Sequence, residues 1–96
     1  MAKFLFSYRT VDRPDTLAAW LAWFDSMGTS LVDQGLPVTG SSPLGNLGAD
    51  TRLGGYSVVT ADSLEAAVAI AKGCPILAQG GGVEVGAVAD LDPARS

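Results

Sequence analysis

The period at which apolar residues recur switches along this 96-residue chain, and that switching most limits what it can fold into. In "KFLFSY", residues 3 to 8, Phe4, Phe6 and Tyr8 fall on one side and Leu5 and Ser7 on the other, the period of two expected of a strand. Beyond "VDRPD" the spacing lengthens to three and four: Leu17, Trp20, Leu21, Phe24, Met27, Gly28 and Leu31 make an apolar stripe roughly 100° wide, suited to lie against a sheet. Asp12 as cap, Pro14 in the first turn and Asp15 near the positive end of the dipole place the helix start there, and Gly35 places its stop after Gln34. Trp23 lies at the margin of the stripe, where its ring could cover an edge, line a cleft or meet a partner chain.

Residues 36 to 39 open like a short strand, then dissolve into "GSSPLGNLGADTR", residues whose side chains favour turns over ladders, so a long hairpin loop is expected. Period two returns in "LGGYSVVTA", with Tyr56 and Val58 on one face and Ser57 and Val59 on the other, a strand expected near the middle of its sheet. In "ADSLEAAVAIAKG", Asp62 with Glu65 three residues on reads as a capping box. Leu64, Ala67, Val68 and Ala71 form the expected buried stripe and Lys72-Gly73 the end. "GGVEVGAVADL" closes the chain as a strand that alternates Val83, Val85 and Ala87 against Glu84, Gly86 and Val88.

The order is β-α-β-β-α-β in one domain spanning residues 1–96, for which a ferredoxin-like α+β sandwich, one antiparallel sheet with two helices on one face, is the expected topology. The other face of such a sheet has no cover within the chain. A hydrophobic fraction of 48% and a mean hydropathy of +0.31 are high for a domain this small, so the expected remedy is a homodimer in which two uncovered faces close a shared α/β barrel.

Composition narrows the chemistry. The net charge is -4, and the six basic residues (Lys3, Arg9, Arg13, Arg52, Lys72 and Arg95) form no run in sequence that would neutralise a row of phosphates, so no nucleic-acid partner is expected. No apolar run approaches the roughly 18 to 20 residues of a membrane span, and the first residues lack a signal peptide's apolar stretch, so no membrane partner and a cytoplasmic location are expected. With one cysteine and no histidine, an internal disulfide and the common zinc or iron ligand sets are out of reach, and neither metal nor cofactor is expected. Catalysis by Ser-His-Asp or Cys-His within one chain is excluded, which leaves Tyr, Cys, Lys and carboxylates.

Two features invite a chemical reading. Cys74 follows a helix C-terminus, where the negative end of the dipole disfavours a thiolate, so a half-buried structural thiol outweighs a nucleophile. Gly80-Gly81-Gly82 precedes a strand, whereas a phosphate loop follows a strand and precedes a helix, so a turn outweighs an anion cradle. Tyr8, Tyr56 and Glu84 could converge across the sheet, with Glu84 as proton acceptor, against the alternative that Glu84 faces water while the tyrosines pack. Trp20, Trp23 and Phe24 could line an apolar pocket or simply fill the core.

The block "LGGYSVVTADSLEAAVAIAKGCP", residues 53 to 75, together with "GGGVEVGAV" and the helix "AAWLAWFDSMG", resembles the YCII-related proteins over nearly the whole chain. The resemblance implies a dimeric α+β barrel. Relatives with an Asp-Gly-Pro-Phe signature carry it where this chain has "SSPLGNLGAD". In enzyme-like relatives a histidine on the first helix and an aspartate before the proline after the second helix are regarded as an active-site pair. Those positions fall at Phe24 and Cys74 here, so the resemblance implies the fold and the pocket but not that acid-base pair.

No catalytic residue is assigned. The ligand-binding candidates are Tyr8, Trp20, Phe24, Tyr56, Cys74 and Glu84, around a pocket between the first helix, the sheet and the loop at 40 to 52, for a small apolar or aromatic ligand. Three functions stay open: a small-molecule binding or accessory protein, a histidine-independent lyase, isomerase or dehalogenase-like enzyme on small aromatic or lactone compounds, and a structural dimerisation module.

Overall fold

The computed structural model describes residues 2–10, 17–47 and 51–89. Its elements run β1 (Ala2–Thr10), α1 (Leu17–Met27), β2 (Leu31–Asp33), β3 (Arg52–Ala61), α2 (Leu64–Ala71), α3 (Pro75–Ala78) and β4 (Gly82–Ala87). The strands form a four-stranded sheet in the order β2-β3-β1-β4, every neighbouring pair antiparallel, so the two long strands occupy the middle as the apolar run of β3 suggested. The chain is thus a small α+β fold. The smallest principal extent of 21 Å is that of one sheet carrying one layer of helices.

The alternation read in β1 sets the core. Phe4, Phe6 and Tyr8 are buried, and their register partners Val59 and Ser57 and nearby Ala61 continue the same face of β3. Onto this face pack Trp23 from α1, Ala67 and Ala71 from α2, and Cys74 and Ile76 around α3. With both helices on one side, Leu5, Ser7, Val58 and Glu84 stand on the other, partly or largely open to solvent.

Several expectations are corrected. The first helix ends at Met27 rather than Gln34: Gly28 takes a left-handed φ of +57°, a 3-10 turn covers Gly28–Ser30, and the chain leaves as β2. Leu31 fits the helical spacing, yet it reaches the core from a strand, opposite Val59. Residues 36 to 39 are not a regular strand; only the bridge Pro37 to Gly55 and the bond from Val38 N to Gly54 O, 3.0 Å, tie them to β3. The expected helix start at Asp12, Pro14 and Asp15 lies outside the described residues.

The expected stripe on α1 is rotated. Trp23, placed at its margin from spacing, is the buried residue, whereas Leu17 (67% exposed) and Leu21 (49%) stand outward. In α2 the cap is Ser63, whose Oγ accepts from Ala66 N at 3.1 Å, rather than Asp62. Ala67 and Ala71 are buried as expected, but Leu64 and Val68 are exposed, and Ala66 and Ile70 take the flanks of the buried face. The one-turn helix α3 replaces what the sequence shows only as "CPILAQ"; Pro75 supplies the preset φ of its first residue. Gly80 to Gly82 form a turn into β4, as expected from their place before a strand. Among the described residues no helix is long and apolar enough to cross a membrane.

Candidate functional site

A cavity of about 160 Å³ opens where α1 overhangs the ends of β1 and β3. Trp20, Leu21 and Phe24 wall it from the helix, Tyr8 and Thr10 from β1, Gly54 to Tyr56 from β3, and Gln34 to Pro37 from the segment after β2, with Ile76 below. Among the described residues, none of the lining side chains carries a formal charge at neutral pH. Its size compares with the roughly 150 Å³ apolar cavities that hold one benzene.

The position follows from local causes. Where Tyr8 faces Gly55 and Arg9 faces Leu53, β3 carries one extra residue, Gly54, and this bulge re-aims the strand ends. Gly35 is in the left-handed region (φ +73°), and a Cβ there would lie 1.8 Å from the Tyr56 carbonyl oxygen, so only glycine lets this wall close against β3. Asp33 supports the turn by accepting from Gly35 N at 2.9 Å.

Aromatic rings form the continuous wall. Trp23 stacks on Phe6 at 6.1 Å, and Trp20 meets Tyr8 edge-on at 4.9 Å and Phe24 at 5.8 Å. Such contacts hold ring orientations in well-defined minima. Trp23 Nε1 donates to Ile70 O at 3.3 Å, while Trp20 Nε1 is buried with no acceptor. An orphaned buried donor costs about 1–3 kcal/mol.

Tyr8 anchors a buried polar chain: its OH donates to Ser57 Oγ at 2.7 Å, and Ser57 Oγ donates to Gln34 O at 2.7 Å. Burial holds the Tyr8 phenol well above its usual titration range, so at neutral pH it is a proton donor and not a base. Sequence reading did not single out Thr10, Leu21, the segment Gln34 to Pro37 or Ile76 as wall residues, nor Ser57, which anchors Tyr8 behind the wall. For Ser57 the sequence carries a signal: a hydroxyl on the same strand face as Val59 must find a partner inside.

The candidates divide. Tyr8, Trp20, Phe24 and Tyr56 all line the cavity. Cys74 does not: it is 3% exposed, in the core below Tyr8, and burial pushes its thiol up to about 11. Glu84 is exposed on the opposite sheet face, paired through Ser7, which also faces Tyr56, so Tyr8 and Glu84 do not converge. Alternation explains this, since β1 presents Tyr8 and Ser7 to opposite faces. Among the described residues no three of His, Cys, Asp and Glu are grouped to hold a metal ion.

Compared with protein-family models, curated proteins and solved structures, the chain matches none of the three.

Proposed function

We propose that the chain is a binding protein for a small neutral molecule of about one ring, apolar or aromatic, and that it acts as a YCII-related homodimer of ferredoxin-like subunits sharing a barrel. The observation that carries this reading is the ring-walled cavity of about 160 Å³, whose lining is uncharged among the described residues. A charged ligand would leave its charge unpaired against these walls, whereas a neutral ring exchanges water for aromatic contact. A carbonyl or hydroxyl on the ligand would offer Trp20 Nε1 the acceptor that the chain does not. The strand order β2-β3-β1-β4 is the one a ferredoxin-like chain adopts, and the block at 53 to 75 supports the family reading.

An accessory or binding role is favoured over an enzyme because, among the described residues, the cavity wall has no carboxylate, lysine, histidine or thiol to move a proton, and its phenol Tyr8 is held protonated. It is favoured over a structural dimerisation module because such a module has no use for a cavity beside its core.

The test is a thermal melt of the full chain with toluene, p-cresol or cyclohexanone as neutral probes and benzoate as the anionic one. Binding to the folded state alone raises Tm in proportion to ln(1 + [L]/Kd). The expected result is a saturating rise with the neutral probes, largest for p-cresol and cyclohexanone, which carry an acceptor. A flat Tm with every neutral probe up to its solubility would overturn the reading.

A further inference from the structure

The sheet has two outer strands, and they are guarded differently. β2 is three residues long, its register with β3 is irregular and Pro37 follows it, all of which blunt an edge against pairing. β4 has none of these devices: its six residues run in unbroken register with β1, hold no proline or lysine, and carry Glu84 as their one charge.

Which backbone groups stand open follows from the ladder. Val88 N donates to Lys3 O at 3.1 Å, so these two residues form a hydrogen-bonded pair. The alternation of an antiparallel ladder then makes Gly86 with Leu5, Glu84 with Ser7 and Gly82 with Arg9 the next such pairs. The N–H and C=O groups of Val83, Val85 and Ala87 therefore point away from β1, and among the described residues they have no hydrogen-bond partner. The side chains of Val83 and Val85 pack against the core from the helix side. Gly82 and Gly86 leave the other side of the strand bare, with nothing within 4 Å of where a Cβ would stand.

We infer that this edge pairs with the same edge of a second copy, antiparallel about a twofold axis at Val85, so that two four-stranded sheets join into one. In that register Val85 faces the partner's Val85 and Val83 faces the partner's Ala87, which satisfies every open group of the strand. Glu84 then faces the partner's Gly86, so no like charges meet, and the β-branched pair at the centre continues the helix-side packing from one copy into the next. A slip of two residues one way sets Glu84 against the partner's Glu84, and the other way carries the pairing past the end of β4. The strand thus supplies its own complement, which favours a second copy over an unrelated extended peptide. The contact is narrow, below roughly 1,200 Å² and so in the weak class, with a Kd of about 0.1–1 mM. It does not form at the micromolar concentrations of size exclusion, and it stands apart from both the cavity and the open sheet face, so its success or failure is independent of the function proposed above.

The experiment is water-exchange NMR of the backbone amides of the full chain at about 0.05 and about 1 mM, concentrations that bracket such a Kd. The amides of Glu84, Gly86 and Val88 are expected to exchange slowly at both, because β1 holds them. Those of Val83, Val85 and Ala87 are expected to exchange freely at the lower concentration and at least about twofold more slowly at the higher, the drop in unpaired strand that a submillimolar Kd gives. Val85→Pro removes the central outward N–H without touching the ladder to β1, and should abolish the slowing at Val83 and Ala87. Should that variant lose the protection of Glu84 and Gly86, and hence its fold, the charge pair decides. Gly86→Glu opposes the partner's Glu84 and should abolish the slowing, and Glu84→Lys added to Gly86→Glu should restore it. Fast exchange at both concentrations would overturn the inference. So would slow exchange already at the lower one, which means an edge covered within the chain, or slowing that persists unchanged in Gly86→Glu. Slowing brought about by a valine-rich peptide of unrelated sequence and not by concentration would put a foreign strand in place of the second copy, and would overturn it as well.

Discussion

Cys74 shows how one buried side chain links packing to solution behaviour. Its thiol is shut away beneath Tyr8, and the folded state holds the proton to about pH 11, whereas the unfolded chain releases it near the ordinary 9.0. A group whose pKa is raised on folding stabilises the fold below the unfolded value, and that stability is lost as pH rises through the folded one. The parent should therefore lose stability between pH 9 and 11. Cys74→Ala should lose about 2 kcal/mol less across that window, as read from urea midpoints at each pH, with Tyr8 contributing to the loss above pH 10 in both proteins. Equal pH dependence in the two proteins would show that the thiol is not shielded. From sequence the thiol reads as half-buried because only the dipole of the preceding helix is visible; it is in fact buried within the core cluster that includes Phe4, Phe6, Tyr8 and Trp23, distant residues that no local spacing places in that cluster with it. Tyr8 and Glu84 fail to meet for the opposite reason, a rule that was legible: successive residues of β1 face opposite sides, and Glu84 pairs with Ser7.

Among the elements, β1, β3 and β4 were legible, whereas β2 and the helix limits were not. Period two in β1, β3 and β4 is dictated by which side chains meet the helices, and it needs no knowledge of distant residues. The end of α1 is different, because Leu31 satisfies a helical and a strand placement equally and only the pairing with Val59 decides between them. The long aromatic residues rotate the helix until Trp23 reaches Phe6, a packing choice that overrides a stripe counted residue by residue. At the start of α2, Asp62 and Ser63 both fit a capping sequence, and backbone geometry selects Ser63. Ser63→Ala should thus cost about 1 kcal/mol and Asp62→Ala no more than a few tenths, measured by chemical denaturation. Reversed costs would restore Asp62 as the cap.

For the whole molecule, the two sheet faces have opposite fates. One is covered by helices and carries the core; across the other, Leu5 faces both Val58 and Gly86, with no helix over it among the described residues. A second copy applied to this face is the homodimer of the proposal, and a twofold contact would bring each Leu5 near its partner's apolar row. Size exclusion with light scattering should give twice the 9.8 kDa chain mass for the parent and the single mass for Leu5→Glu, which sets like charges against apolar surface on both copies. A monomeric parent, or a dimer that survives Leu5→Glu, would contradict pairing through this face.

The claim that organises all three scales is that the space under α1 is kept open for a neutral ring. It is tested most directly by fluorine NMR of fluorobenzene with the parent and with Leu21→Trp, in which a larger side chain at an exposed helix position fills the cavity from its rim. The account predicts saturable line broadening with the parent and binding at least about tenfold weaker with Leu21→Trp at an unchanged melting temperature, a difference of about 1.4 kcal/mol. Equal binding by the two proteins, or none by the parent, would contradict it.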